Sequence, residues 1–159
     1  MNELLIDNLM KLGIAIVVGG IVGAEREFRD KAAGFRTIIL ITVGLTLFTL
    51  FSASLDPGFT RTRIAANIVT GIGFLGACAI VREHGRIGGL TTAATIWLSA
   101  ALGMGIGGGE VMFVLIATVV VLLVLLVFPR LEVWIDRIRE SRTYKIVIST
   151  DNLDKMDGI

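Results

Sequence analysis

Charged residues punctuate this chain and leave five apolar stretches between them: residues 12–24, 37–55, 64–81, 87–109 and 111–128. Four of these meet the roughly 17–25 apolar residues that a membrane-crossing helix needs. The first does so only when extended back to about residue 4, with Lys11 reaching along the helix to the interface. The pattern therefore predicts an all-α membrane protein, a bundle of five transmembrane helices over residues 4–24, 37–55, 64–81, 87–109 and 111–128. After Pro129 the pattern changes. Residues 130–142 place Leu131, Val133, Trp134, Ile135 and Ile138 among charges, which predicts an amphipathic helix lying in the interface. Residues 144–150, YKIVIST, alternate and are β-branched, as a strand would be. One strand is not stable alone, so residues 143–159 are expected to be the start of a cytoplasmic domain cut short.

Lysine and arginine choose the orientation of such a bundle. With the N-terminus outside, twelve of them fall on the cytoplasmic side: Arg26, Arg29, Lys31, Arg36, Arg82, Arg86 and six in the tail. Only Arg61 and Arg63 fall outside. The expected arrangement is N-terminus outside and C-terminus in the cytoplasm.

Composition narrows the class further. In 159 residues, 54% apolar and 18% charged, a water-soluble domain has too little interior to hide its apolar surface. The 19 glycines fit membrane helices, where glycine is commoner than in soluble ones. A net charge of +1 gives no reason to expect a nucleic-acid partner. The single cysteine, Cys78, permits no internal disulfide and fits no metal pattern. It is read as a small buried hydrophobe. Glu3 and Asp7 stand where a cleavable signal would be positive, so none is expected.

Gly71, Gly73 and Gly76 spell G-x-G-x-x-G, the spacing of a dinucleotide-binding turn. That turn must join a strand to a helix in water, with an acid about 20 residues on. Here it lies inside an uncharged span and the window around Ile96 holds no acid, so the expectation is close helix–helix contact instead. Gly19 and Gly23, and the glycines of residues 103–109, carry the same expectation, within one subunit or between subunits.

Polar groups beside the apolar stretches are the functional candidates. Glu25 and Arg26 follow directly on Gly23 and Ala24, at headgroup depth, where ions are costly and often functional. Arg36 and Thr37 close the same loop. Asp56 precedes Pro57 in a turn, and Arg63 is followed at i+4 by Asn67, read as interhelical glue or a pore-lining amide. The one histidine, His84, sits in a charged loop without the companions a metal site needs. Beyond Gly88 and Gly89, Thr91, Thr92 and Thr95 form a hydroxyl stripe, either bonded to their own helix or lining a cytoplasmic vestibule. Trp97 is expected to fill space between helices. No nucleophile–base pair or metal quartet is visible, so the chain is not expected to be an enzyme, and no catalytic residue or cofactor is assigned, with Mg²⁺ left as a possible ligand.

Taken together, three blocks resemble the membrane domain of the MgtC/SapB family: GGIVGAEREFRDKAAGFRT, RIAANIVTGIGFLGACAIVRE and RIGGLTTAATIWLSAALGMGIGGG. The resemblance covers residues 19–109. It places the family's motif on Glu25, Arg26, Gly34, Arg36 and Thr37, then Arg63, Ala65, Gly71, Gly73, Phe74 and Gly76, then Gly89, Leu90, Thr91, Thr92, Ala93, Ala94 and Trp97. Asn67 stands where a glutamine is usual, Cys78 where a glycine is common, and Thr91 where some members have asparagine. The resemblance implies a multi-pass protein of the bacterial inner membrane, linked to growth in low magnesium and to virulence. It implies a regulatory activity, including restraint of the membrane ATP synthase. Homo-oligomers are expected from the glycine faces. The rival expectation is a Mg²⁺ or other cation transporter, with Glu25, Asp56, Asn67 and the Thr91, Thr92, Thr95 stripe along its path. A third is an anionic-lipid site at Arg26, Arg29 and Arg36.

Overall fold

A computed structural model describes residues 2–55, 62–83 and 86–138. It contains five helices: α1 (Asn2–Phe28), α2 (Phe35–Leu55), α3 (Thr62–Cys78), α4 (Leu90–Gly108) and α5 (Val111–Ile138). Between α3 and α4 stands a short antiparallel hairpin, β1 (Val81–Glu83) and β2 (Arg86–Gly88). Two compact units divide the chain at Phe128, so α5 begins in the first unit and ends in the second.

Four helices are long and apolar enough to cross a membrane: α1, α2, α4 and α5. The third, α3, is 17 residues, and its apolar part is Ala65–Cys78. The apolar stretch read as 64–81 ends early because Val81 pairs with Gly88, Arg82 with Ile87 and Glu83 with Arg86. Of the expected span, Val81 falls on the strand, and Ala79 and Ile80 form the turn that leads into it. The pairing encloses two residues, His84 and Gly85, which lie outside the described ones.

Helix ends also move outward from the sequence reading. Glu25, Arg26, Glu27 and Phe28 continue α1 rather than opening a loop, and α2 begins at Phe35. The chain continues through Pro129 as helix, so the expected interfacial segment from residue 130 prolongs α5 as far as Ile138. Leu131, Val133, Trp134 and Ile135 in that second unit are exposed.

Within the first unit the helices pack through their smallest residues. A Cβ at Gly19 would lie 3.0 Å from Ile39 Cα and Thr42 Oγ1, and one at Gly23 would lie 2.9 Å from the Phe35 carbonyl. Gly19 meets the later residues and Gly23 the earlier ones, so α1 and α2 run antiparallel. A Cβ at Gly103 would overlap the Thr42 carbonyl oxygen, and one at Gly107 would stand 2.6 Å from Thr49 Cβ. Here both numbers rise together, so α2 and α4 run parallel. The chain must therefore return between them, and α3 makes that return: Gly76 near its end lies against Ala93 near the start of α4. Helix α5 rests on α4 where Val114 meets Gly105.

The interior these contacts make is small and partly hydroxylic. Thr42, Thr46, Thr95, Ser99 and Thr118 are buried beside Val18, Val22, Ile38, Ile96 and Ile106. Bulk faces outward instead: Leu40, Phe48, Phe74, Phe113 and Val119 are all more than 60% exposed. Lipid tails cover such a surface without penalty, whereas water would not.

Two glycines have conformational duties. Gly109 has φ 92°, and the amides of Gly109 and Glu110 close α4 onto the carbonyls of Ile106 and Gly105. That pair of bonds is a Schellman cap, which favours glycine at the left-handed position. Gly89 has φ 84° and lies so close to the Ala79 carbonyl that a Cβ would overlap it. Gly89 thus fixes how the hairpin hands the chain to α4.

Candidate functional site

The buried charges of the chain gather at the C-terminal end of α1. Glu25 is 7% exposed and Arg26 2%, in a bundle whose interior is otherwise uncharged among the described residues. The Oε2 of Glu25 accepts from Nε of Arg26 and pairs with its Nη2. Its Oε1 lies 2.6 Å from Nε of Arg29, an ion pair rather than an aligned hydrogen bond. One carboxylate thus holds two guanidinium groups. Arg26 is enclosed, while the Arg29 side chain stays 32% exposed and carries the surplus positive charge toward the surface.

Local structure explains why the charges sit there. Helix α1 continues past Gly23, and Gly23 brings the first turn of α2 against its own backbone. The next residue but one, Glu25, and the following Arg26 are then drawn into the bundle. Arg29 lies one turn on, at the i+4 spacing that suits an ion pair.

A second carboxylate fastens the connection to α2. Glu27 Oε2 accepts a hydrogen bond of 2.9 Å from the amide of Phe35, the first residue of α2. An anion at a helix N-terminus satisfies an orphan amide and complements the helix dipole. The same carboxylate occupies the space a Cβ at Gly34 would need. Gly34 is therefore the residue that lets the clasp close, and Asp30 takes φ 50° in the turn between.

The hydroxyl groups are engaged by backbone carbonyls. Thr42 donates to Ile38 O, Thr95 to Thr91 O, Ser99 to Thr95 O and Thr118 to Val114 O. Thr46 reaches two acceptors, Thr42 O in its own helix and Gly103 O across the interface, each at 2.9 Å. Thr46 is thus a direct tie between α2 and α4 at their closest approach. Sequence reasoning missed the Thr42, Thr46, Thr49 row. Its signal was the spacing of 4 and 3 residues, which puts all three on one face.

The sequence-derived candidates do not all converge. Glu25 and Arg26 come together with Arg29, which the sequence placed among the cytoplasmic positives and in the anionic-lipid alternative. Arg36 and Thr37 are exposed on the first turn of α2. Thr92 and Thr95 are buried on α4 while Thr91 is exposed. Asn67 is exposed on α3. Asp56 lies outside the described residues, and Arg63 is described only as part of the backbone of α3. Lys11 pairs with Asp7 at 2.7 Å.

The glycine expectations divide the same way. Gly19 and Gly23 are packing positions, and Gly89 is held by its backbone. Gly76 touches Ala93 at ordinary contact distance. Gly71 and Gly73 have no neighbouring atom within 4 Å of a Cβ, so among the described residues they pack against nothing. Phe74 is 74% and Trp97 47% exposed, so both turn outward rather than filling space between helices. Cys78 is exposed as well, at the end of α3 rather than in the interior.

The MgtC family model matches residues 12–134, from within α1 to within α5. The chain belongs to the MgtC family. It is 46% identical over 110 residues to Protein MgtC of Brucella abortus (strain 2308), covering 69% of this chain and 46% of that protein. It is 44% identical over 114 residues to Protein MgtC of Salmonella typhimurium (strain 14028s), covering 72% of this chain and 49% of the relative. The chain thus spans about half the length of these relatives. No solved structure matches it. Family membership and four helices of spanning length make it a multi-pass membrane protein.

Proposed function

We propose that this chain is the membrane part of a regulatory protein of the bacterial inner membrane, supporting magnesium and ATP homeostasis when magnesium is scarce. It acts on other membrane proteins, the ATP synthase among them, and neither transports Mg²⁺ nor catalyses a reaction. Five spans carry the N-terminus outside and the C-terminus inside, with the short α3 as the third. The parallel course of α2 and α4 supports that count, because the chain has to cross back between them. The antiparallel turns also bring Arg26, Arg29, Lys31, Arg36 and Arg82 to one end, the end the positive-inside rule assigns to the cytoplasm. On α3, the open Gly73 and the outward Phe74 leave room for a second copy to approach, and the working form is a homo-oligomer.

One observation carries the choice of regulator over conduit: the α1–α2–α4 interior is closed by backbone contact. Carbonyl oxygens of α2 meet Gly103 and Gly107 directly, and the buried hydroxyl of Thr46 is spent on that interface. Mg²⁺ needs carboxylates and waters in octahedral array. The inward carboxylate, Glu25, is already held by two arginines.

The test is ATP-driven proton pumping in inverted membrane vesicles with and without the chain. Pumping is expected to fall when the chain is present at verified levels. Unchanged pumping would overturn the regulatory reading.

A further inference from the structure

Of the three arginines that the sequence offered to an anionic lipid, Arg26 is 2% exposed and has no surface to present. Arg36 is exposed on the first turn of α2. Arg29 stands between these cases, because Glu25 holds it from within the bundle while a third of its side chain reaches the surface.

The contact that holds Arg29 runs from Glu25 Oε1 to Nε, and among the described residues Nη1 and Nη2 form no hydrogen bond. Engaging a guanidinium at Nε leaves its far edge, where Nη1 and Nη2 carry two parallel N–H groups. That fork matches two oxygens of a phosphate. The long side chain is already tied down by Glu25, so the fork is in place before any ligand arrives.

The charge around it is not balanced. Residues 25–36 hold four cations against three acids. Glu25 is shared by two arginines, and Glu27 is bonded to the Phe35 amide. Asp30 is the acid without an ion pair among the described residues, and the exposed Lys31 follows it directly. The turn keeps one surplus positive charge, which a group of net charge −1 neutralises.

Depth selects the source of that anion. The uncharged stretch of α2, residues 37–55, spans about 28 Å at 1.5 Å per residue, close to the roughly 30 Å of a hydrocarbon core. Gly23 meets the backbone of Phe35, just outside that stretch. Glu25 is two residues further out, about 3 Å, so the guanidinium it holds lies in the headgroup layer, about 5–8 Å thick. Phe28, next to Arg29, is 90% exposed, a ring that lipid covers without penalty. At this depth the phosphate at hand is that of a phospholipid. A choline or ethanolamine headgroup would bring its own cation toward Lys31, whereas a glycerol headgroup brings none.

We propose that the turn from α1 to α2 binds the phosphate of one anionic phospholipid, two of its oxygens accepting hydrogen bonds from Nη1 and Nη2 of Arg29. Lys31 adds its charge beside them, and Phe28 sits in the adjoining acyl region. Glu25 is then a positioning residue, aiming the fork that it holds. The site requires only that the chain lies in a membrane, and stands whether or not the chain regulates a partner.

The experiment places the full chain in phosphatidylcholine nanodiscs containing increasing phosphatidylglycerol and counts retained lipid by native mass spectrometry after release. One phosphatidylglycerol per chain is expected, held in preference to phosphatidylcholine and not displaced by excess inorganic phosphate. Arg29→Gln is expected to weaken its retention about tenfold, the loss of a charge-assisted hydrogen-bonded pair, with helicity and elution profile unchanged. Arg29→Lys keeps the charge without the fork and is expected to restore only part of the retention. Arg82→Gln removes another exposed cation, on β1, and is expected to leave retention unchanged. Equal losses in Arg29→Gln and Arg82→Gln would overturn the proposal, since they would mark a diffuse field rather than a site. So would full retention in Arg29→Lys, indifference to the headgroup, or displacement by inorganic phosphate, which would assign the turn to a free anion. If Arg29→Gln fails to fold, a phosphatidylglycerol with a photoactivatable headgroup decides on the wild-type chain. Labels concentrated on Phe28, Arg29 and Lys31 support the site, and labels spread equally over Arg82 and its neighbours overturn it.

Discussion

Glu25 holds two arginines with one carboxylate, and the two contacts differ in what surrounds them. Arg26 is enclosed, so losing its partner would leave a buried, uncompensated charge, a change that typically costs about 3–5 kcal/mol. Arg29 is one-third exposed and has water as an alternative, which keeps such a contact near 1 kcal/mol or less. Glu25→Gln is therefore expected to lower stability by about 3–5 kcal/mol, and Arg29→Gln by about 1 kcal/mol or less. Denaturant titration of helicity in mixed micelles reads both, and equal losses would contradict this assignment of burial. Glu25→Gln is thus unsuited as a clean probe of transport, since it damages the fold first. Glu25 and Arg26 stood out in the sequence because they follow Gly23 and Ala24 directly. Their mutual pairing was not legible, because adjacent helical positions do not normally face each other. The clasp from Glu27 to Phe35 was equally hidden, since it joins residues eight apart across the turn between two helices.

At the scale of helices, the glycines separate into those that touch and those that do not. Gly103 lies against the Thr42 carbonyl, and an added methyl has to push two helices apart. Gly71 faces open space, where a methyl only improves helix propensity. Gly103→Ala is expected to destabilise the chain by about 1–3 kcal/mol, and Gly71→Ala to stabilise it by about 0.5–1 kcal/mol. The same titration compares them, and a destabilising Gly71→Ala would show that α3 packs more closely than described. Counting glycines in the sequence located the helices that pack but not the faces. Residues two apart on a helix point about 200° from each other, so Gly71 and Gly73 never had a common neighbour to serve. The α2 side of the interface was legible in principle, in Thr42, Thr46 and Thr49. It was overlooked because threonines in an apolar run read as tolerated rather than as partners. The hairpin from Val81 to Gly88 had a signal too, a two-residue link ending in Gly85 between short extended runs. An uncharged stretch ending at Val81 masked it.

Across the whole molecule, polarity is turned inside out relative to a soluble domain. Small and hydroxylic residues make the contacts, and large apolar ones face outward. Hydropathy alone made this class legible, because apolar helices of spanning length have few other uses. What hydropathy could not supply was which helices touch and through which residues, as in the pairs Gly19 with Thr42 and Gly103 with Thr42. Those pairs place one closed interface at the centre of the first unit, with the buried charges at its end. The central claim is that this interface is a scaffold and not a path. Sealed liposomes containing the purified chain and a Mg²⁺-sensitive dye test it, under an imposed magnesium gradient and membrane potential. Entry indistinguishable from protein-free liposomes is the expected result. Sustained Mg²⁺ entry that scales with the amount of folded chain would contradict it.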